Sequence, residues 1–591
     1  MTNESNKRWV LPGDVPTAEA ALFRKLSFDR FESQLLYARS LDSEEKITNF
    51  FSEDLDKIPD PAQMFDAVGA AEKIVSAAKE GKKIIIHGDF DADGICAVSI
   101  LWDFLYRELA EVLGDKVDAL PYIPDRSDEG YGLSEKSIDN IVEMGAQLVI
   151  TVDCGIRDTE LISATMAENP GIQFVVTDHH QLPADFDQKD LEYSIVHPNH
   201  PKGKSPDTDV CGTYVAYQLT RAMRDLLKIS DKRAGLDLVA LATVTDIMPL
   251  RGVNRLIVKK GLEQINSGER IGLKKLIELA KVELGSVDSY HLGYALGPRI
   301  NAAGRIGSAL DAVKLLVTRK KSTAQSLAKK LNNLNFERQK LTQDILDAAR
   351  SDIETSINEG GAVPKGIFVY GEDWPEGIVG LVAGKLQEAY YRPTLVATVK
   401  DGEVRGSARS LRGFNITSAI EKFDKYLIKF GGHEQAAGFS VKSGKIEIFR
   451  RELLTYIETE LDDSILQPQL YIDAVMDTEE LSLTLARKIE KFAPFGYGNR
   501  KPMIMLPDVV VVGKEALGRK VDTKGNPLHM KLKFKSASLG ISEAVMFNCA
   551  DDFDKIEVDD IIDFAGYISV NEWNGYTNVQ FQVREWRMGS G

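Results

Sequence analysis

Residues 87–94 read His-Gly-Asp-Phe-Asp-Ala-Asp-Gly, which places one imidazole and three carboxylates within seven positions. Crowded carboxylates repel and raise one another's pKa unless a cation holds them together. Aspartate alternating with small or apolar residues therefore points to a divalent metal site. The plain alternative is a turn rich in Asp because Asp favours turns and helix N-termini. That suits one aspartate better than three beside a histidine.

The same chemistry recurs downstream. Asp153-Cys154-Gly155, Asp178-His179-His180 and His197-Pro198-Asn199 each follow a short apolar stretch, and Asp246 ends the apolar run 235–245. Four of the chain's eight histidines (His87, His179, His180, His197) fall at these points. A lone histidine is usually a satisfied structural residue, but a gathering of them with acids argues for ligation. Asp89, Asp91, Asp153, His179, His180 and Asp246 offer oxygen and imidazole donors and no thiolate. Carboxylates suit Mg²⁺ or Mn²⁺, and imidazole tilts the choice toward manganese. Because Mg²⁺ keeps several waters, these ligands exceed what one ion takes from protein. Two ions bridged by Asp153 or Asp91 would use them all. Such a pair activates water and polarises a phosphoryl group, so phosphodiester or phosphoanhydride hydrolysis is the expected reaction.

Elements must bring these residues together. Ile84-Ile85-Ile86 reads as a buried strand, and 95–109 as the helix leaving it. Further strand candidates lie at 119–123, 147–152, 173–177 and 193–196, with gaps suited to crossover helices. A largely parallel sheet follows, carrying Asp and His beyond its carboxyl ends, where open α/β sheets bind ligands. Gly297–Gly307 (GPRINAAGRIG) suggests backbone folded close to something, and Arg299 and Arg305 suggest that something is anionic, with a structural turn as the alternative. Residues 311–359 lack proline and read as one long helix or two, a solvated connector.

A second α/β unit begins near Gly366. Ser407, Arg409 and Ser410 place hydroxyls beside a guanidinium, a pairing suited to phosphate. Phe430–Gly438 sets two glycines ahead of His433. From about Ile465 short strands separated by turns suggest a small Greek-key barrel of the OB type. Seven Lys or Arg against two acids lie between Val511 and Ala537, with Phe534, Phe547, Trp573, Tyr576 and Phe581 nearby. Such barrels hold single strands with cations on the backbone and aromatic faces on bases, although barrel aromatics are more often core.

Composition sets the bounds. A chain of 591 residues should hold three or four domains. Hydrophobic residues at 43% and charged residues at 27% are ordinary for a globular protein. No apolar run has membrane length, the first residues are no secretory signal, and four scattered cysteines form no CxxC pair. A reducing cytoplasm fits best. The net charge of −16 argues against a general polyanion binder but leaves room for local basic surfaces.

HGDFDADG, TVDCG, VTDHH, VTDIMPL, GPRINAAGRIG, GSARS and FGGHEQAAGF resemble, in that order, the motifs of the DHH phosphoesterases that carry a DHHA1 domain. The likeness extends from about residue 70 to the end and is strongest to the family's single-strand-specific exonucleases. It implies an α/β multidomain chain: a helical lead-in over 1–70, a parallel-sheet DHH catalytic domain over 71–310, a connecting helix over 311–360, an α/β DHHA1 domain over 361–464 and an OB-type barrel over 465–591. It implies 5′→3′ degradation of single-stranded DNA with two Mn²⁺ or Mg²⁺ ions, in repair and recombination. A helicase and a single-strand-binding protein are the implied partners.

The same likeness assigns metal ligation to Asp89, Asp91, Asp153, His179 and Asp246, and makes His180 a ligand or a stabiliser of the attacked phosphate. His87 and Asp93 would support the ligands, and Asp178 would orient its neighbours. Arg126, Ser407 and Arg409 would grip the 5′-terminal phosphate, with Arg305 and His433 along the strand. Pro375 stands where this family usually shows histidine after tryptophan. Two other readings remain: a phosphodiesterase for short oligonucleotides or cyclic dinucleotides, and a non-catalytic replication scaffold. The barrel argues against the first, and the full set of ligand positions against the second.

Overall fold

The computed structural model describes residues 7–589, apart from Ser127, 184–185, 187–190, Lys232, Asp401, Arg519, 523–524, 537–539 and 574–575. The chain forms two compact units, one of Glu53–Leu466 with Gly496–Gly498, the other of Met1–Ser52, Gln467–Phe495 and Asn499–Gly591. No described helix is long and apolar enough to cross a membrane.

The larger unit is built on two sheets. In the first, β1 (Ile84–Gly88), β2 (Ala119–Tyr122), β3 (Leu148–Val152), β4 (Gln173–Thr177) and β5 (Ser194–Val196) run parallel in the order β2-β1-β3-β4-β5. Every residue of β1, β3 and β5 is buried, as expected for strands covered on both faces. After β2 the strand order doubles back across β1 to β3. This switch opens a crevice beyond the carboxyl ends of β1 and β3. Asp89, Asp91 and Asp153 emerge there.

Helices α1 (Ala92–Asp103) and α2 (Gly212–Leu227) pack on this sheet, and α3 (Leu236–Thr245) packs on both of them, every residue of α3 through Thr243 being buried. The glycine-rich stretch is not a turn. It is a helix, α4 (Gly297–Ile306), that passes so close to the loop after β1 that a Cβ on Gly304 would lie 2.0 Å from the Phe90 carbonyl oxygen. The close approach expected from the glycines is present, in helical form. The connector divides into Ala309–Val317 and the 40-residue α5 (Lys321–Gly360). One face of α5 buries Asn332, Asn335 and Thr342, so it is no simple solvated spacer.

The second sheet joins β6 (Ile367–Glu372), β7 (Thr394–Lys400), β8 (Glu403–Arg409), β9 (Leu427–His433) and β10 (Ala436–Val441) in the order β9-β10-β8-β7-β6, with only β6–β7 parallel. One face carries Ala408, Phe439 and Val441 against Phe449 and Leu453. The other is covered by α6 (Glu376–Tyr390), with Pro375 at its N-cap.

In the smaller unit β11 (Ile504–Ala516), β12 (His529–Ser536), β13 (Gly540–Phe547), β14 (Ile561–Trp573) and β15 (Tyr576–Met588) close into a five-stranded barrel through the β11–β14 pairing. The expected lead-in over 1–70 is split. Phe23, Leu35, Leu36 and Phe50 share a core with Leu485, Phe492 and the barrel residues, whereas Ile58, Met64 and Ala67 belong to the larger unit. Phe534 and Phe581 are barrel core and offer no face to a base. Phe547 is 40% exposed, while the Trp573 and Tyr576 side chains lie outside the described residues. In the basic run, Lys514 donates to the Phe553 and Ile556 carbonyls, Lys531 pairs with Glu543, and Lys533 with Glu515. These three of the seven cations are thus paired within the unit.

The contact between α4 and the loop after β1 leaves no room for a methyl group. Gly304→Ala is expected to cost about 3 kcal/mol, the upper end of ordinary overpacking. Gly438→Ala, where a Cβ meets nothing within 4 Å, serves as the control. Urea unfolding of the two variants checks this, and equal midpoints would contradict it.

Candidate metal centre

Backbone geometry delivers the candidate ligands. Asp91 caps α1, its Oδ1 accepting the Asp93 and Gly94 N–H groups at 2.9 and 3.1 Å. Asp153 leaves β3 with φ +61°, a left-handed turn that swings its carboxylate sideways. It then lies so close to the start of α2 that a Cβ on Gly212 would sit 2.6 Å from its Oδ1. Asp246 forms the C-cap of α3.

Three groups of atoms converge within 4.8 Å of one another: Asp89–Asp91–Asp153, Asp153–His179–His180, and Asp93–His179–Asp246. Asp153 belongs to two of them. Its Oδ1 stands 3.1 Å from His179 Nε2 yet makes no hydrogen bond. His179 Nε2 is also 3.7 Å from Asp246 Oδ2 and from Asp93 Oδ2. Asp89 Oδ1, Asp153 Oδ1 and Asp246 Oδ2 are buried without any hydrogen-bond partner among the described residues. Orphaned, buried carboxylate oxygens of this kind normally cost several kcal/mol or mark an ion.

The electrostatics agree. Burial, then the neighbouring Asp91, pushes the Asp89 carboxyl well above the usual range. Burial and Asp93 raise Asp91. Burial followed by Asp93 and Asp91 drives both Asp153 and Asp246 well up. Ionised together, these groups need a compensating charge. Oxygen and imidazole donors in this number fit divalent cations of the manganese and magnesium kind.

Around the candidate ligands lie groups that fix the backbone and rings. Asp93 accepts from the Gly212 and Thr213 N–H groups at 2.7 and 2.8 Å and from Thr213 Oγ1 at 2.6 Å, tying α1 to the start of α2. Asp178 Oδ1 accepts from the His179 and His180 N–H groups and lies 2.8 Å from His180 Nδ1, and Oδ2 accepts from Ile156 N–H. Burial alone would raise Asp178, but these bonds, His180 first, pull it below the carboxylate range. Burial works to lower His180, yet Asp178 wins and raises it. With Nδ1 committed to Asp178, only Nε2 of His180 remains for an ion or a phosphate. His87 is fully buried, stacks on Tyr122 and is driven down to about 4 by burial, so it is neutral. His197 uses both ring nitrogens internally, on the His180 carbonyl and the Asn199 N–H. Tyr131, not singled out in the sequence, sets its hydroxyl 3.2 Å from the His180 ring and from the Asp153 carbonyl.

A cluster of guanidinium groups borders the crevice. Arg126 lies over the Phe90 ring at 4.8 Å, and its charge acts on Asp89 and Asp91. Arg305 donates to the Gly377 carbonyl at 2.7 Å, joining α4 to the start of α6. Burial, then Arg126 and Arg338, holds Arg305 down to about 10. Arg409 donates to Ser407 Oγ at 3.2 Å, and burial lowers its pKa. Gly380 of α6 lets this pair approach, a Cβ there meeting Ser407 Oγ at 3.1 Å. Among the described residues Arg409 and Arg338 have no carboxylate partner. Register places His433 opposite Ala436 and Ala436 opposite Arg409, so His433 and Arg409 share a sheet face two strands apart, with His433 exposed. Arg338 escaped sequence reading because it sits among the many charges of α5. The stripe Asn332, Asn335, Arg338, Thr342 at helical spacing was the available signal.

A parallel sheet with an Asp/His cluster at its switch point, followed by a second α/β sheet, defines a DHH-type metallophosphoesterase. Family models match accordingly: the N-terminal domain of the DHH family over residues 83–243, the DHHA1 domain over 364–459 and the RecJ OB domain over 472–585. The single-stranded-DNA-specific exonuclease RecJ of Bacillus subtilis (strain 168) is 32% identical over 583 residues, covering 98% of this chain and 71% of that protein. The crystal structure of RecJ from Thermus thermophilus in complex with Mn²⁺ superposes with a TM-score of 0.81 at 26% identity, covering 99% of this chain and 80% of that one. Its Mg²⁺ complex superposes at 0.75 and 25% identity, covering 99% and 79%. The chain belongs to the RecJ family.

Cation binding should therefore stabilise the fold. At free Mn²⁺ a hundredfold above its dissociation constant, one site contributes about 2.7 kcal/mol. We expect Mn²⁺ to raise Tm, chelator to reverse the rise, and Asp153→Asn to abolish most of it. Calorimetric scans with and without Mn²⁺ decide this. An Asp153→Asn protein with the full shift would remove Asp153 from the site.

Proposed function

We propose that this chain is a metal-dependent 5′→3′ exonuclease that hydrolyses phosphodiester bonds of single-stranded DNA in repair and recombination. The observation that carries the reading is the shared carboxylate of Asp153, which lies in both the aspartate group and the histidine group at the switch point. Asp89, Asp91, Asp153, His179 and Asp246 would hold two divalent cations, with His180 able to contribute Nε2. When bound, such a pair supplies an activated water and neutralises phosphoryl charge.

The protein's own groups do the rest. Asp178 fixes the His180 ring, which suits its Nε2 to bind a cation or to stabilise the attacked phosphate. Asp93 anchors α2 and faces His179, and His87 supports the strand end as a neutral buried ring. Arg126, Arg305, Ser407 and Arg409 converge as a half-buried cationic pocket of the kind that grips a terminal phosphate. Arg338 joins that pocket. His433, on the Arg409 face of the second sheet, lies along the path of the strand. End-on capture of a phosphate at a fixed distance from the cations explains release of nucleotides from one end. The protein would act in the cytoplasm, fed by a helicase that unwinds duplex and beside a protein that coats single strands. The barrel unit would hold the remainder of the strand.

Asp91→Ala is expected to abolish hydrolysis of a 5′-labelled single strand while leaving most of the strand affinity intact. Retained hydrolysis would remove Asp91 from the mechanism. Arg409→Ala is expected to erase the preference for a 5′-phosphorylated over a 5′-hydroxyl end, read as the ratio of kcat/KM values. An unchanged ratio would place the terminal phosphate elsewhere.

A further inference from the structure

Tyr290 and Tyr294 are the most exposed pair of stacked rings among the described residues, 63% and 74% exposed, with centroids 4.8 Å apart and planes at 26°. Neither hydroxyl has a protein partner among those residues. Isolated exposed aromatics are ordinary, but two held face to face in water present a flat apolar platform. The segment that carries them is built, not loose. Asp288 caps the turn Ser289–His291 by accepting the His291 N–H at 3.0 Å, and the π-helix Leu292–Leu296 follows, with Leu292 and Leu296 fully buried. Single π turns inside helices gather at functional sites.

The platform is anchored to the metal centre. A Cβ on Gly293 would meet Val244 Cγ1 at 3.5 Å, and one on Gly297 would meet Thr245 Cγ2 at 2.3 Å, next to Asp246. The π-helix runs directly into α4, where Asn301 accepts the Ala92 N–H at 2.7 Å and Gly304 abuts the Phe90 carbonyl. At its far end α4 presents Arg305 to Gly377 and the phosphate-gripping pocket. One continuous helix thus has aromatic rings at its start, ligand-bearing loops along its length, and guanidinium groups at its end. Tyr294 and Arg305 are about 16 Å apart along the axis at 1.5 Å per residue.

We propose that Tyr290 and Tyr294 form a stacking platform for an unpaired base of the strand, on the 3′ side of the bond being cut. This rests on the exonuclease reading above. A strand whose 5′ phosphate sits at Arg305 and Arg409 and whose next phosphate lies at the cations continues past Asp246 toward the two rings. Stacking is indifferent to base identity, because every base has a π-face, and it requires that the base be unpaired. The platform would favour single strands over duplex without reading sequence.

The test measures binding of 5′-phosphorylated single strands by fluorescence anisotropy in Ca²⁺, with cleavage of the same strands in Mn²⁺ run alongside. One series of strands carries a single abasic position moved stepwise from the 5′ end. Wild type should lose about tenfold in affinity when the abasic position reaches the platform, the scale of one stacked base. Tyr290→Ala/Tyr294→Ala should bind the intact strand about tenfold more weakly and show no further loss at that position. Tyr290→Phe/Tyr294→Phe should behave as wild type. A double-alanine protein that binds intact strands as wild type, or still loses affinity at the same abasic position, overturns the proposal. Failure of wild type to cleave any single strand in Mn²⁺ would instead overturn the exonuclease reading.

Discussion

Like charge packed out of water is the constraint on which this structure depends. Asp89, Asp91, Asp153 and Asp246 are each forced upward in pKa by burial and by neighbouring carboxylates, Asp93 foremost for the last three. A protein does not retain such an arrangement for stability, because burying ionised carboxylates costs far more than a turn needs. The cost makes sense only when cations complete the cluster. The architecture follows from that requirement: strands end together at the switch point, Asp93 and Asp178 lock the flanking backbone, and α4 presses against the loop after β1.

The same logic governs the cationic pocket. Arg305 is depressed by burial and by Arg126 and Arg338, the mirror image of the carboxylate cluster. Opposite unsatisfied charges thus face a common crevice within the larger unit, one set suited to metal and the other to phosphate. Divalent cations would supply what the carboxylates lack, and a terminal phosphate what the guanidinium groups lack. Recognition and catalysis would then draw on one electrostatic imbalance.

Much of this was legible in the sequence because it is local. Strand-then-aspartate repeats, the Asp178-His179-His180 run and the GSARS hydroxyl–guanidinium pairing each lie within a few residues, and their periodicity shows which edge they share. What depended on conformation or distant contacts was hidden. The left-handed turn at Asp153, φ +61°, leaves no mark in a composition-based reading. GPRINAAGRIG announced close packing but not a helix, since glycine is read as a helix breaker and here serves an approach to Phe90. The N-terminal helices gave no sign of joining the barrel, because Phe50 meets Phe492 across more than four hundred residues. In the basic run over 511–537 the partners of Lys514, Lys531 and Lys533 were hidden, because they lie on neighbouring strands and a distant turn.

Two cations held on either side of Asp153 would relieve the buried carboxylates. Diffraction at the manganese absorption edge, from crystals grown with Mn²⁺, reads this most directly. Two anomalous peaks about 3.5–4 Å apart on either side of Asp153, one toward Asp89 and Asp91 and the other toward His179, are the expected result. A single peak remote from Asp153, or none among these side chains, would contradict it.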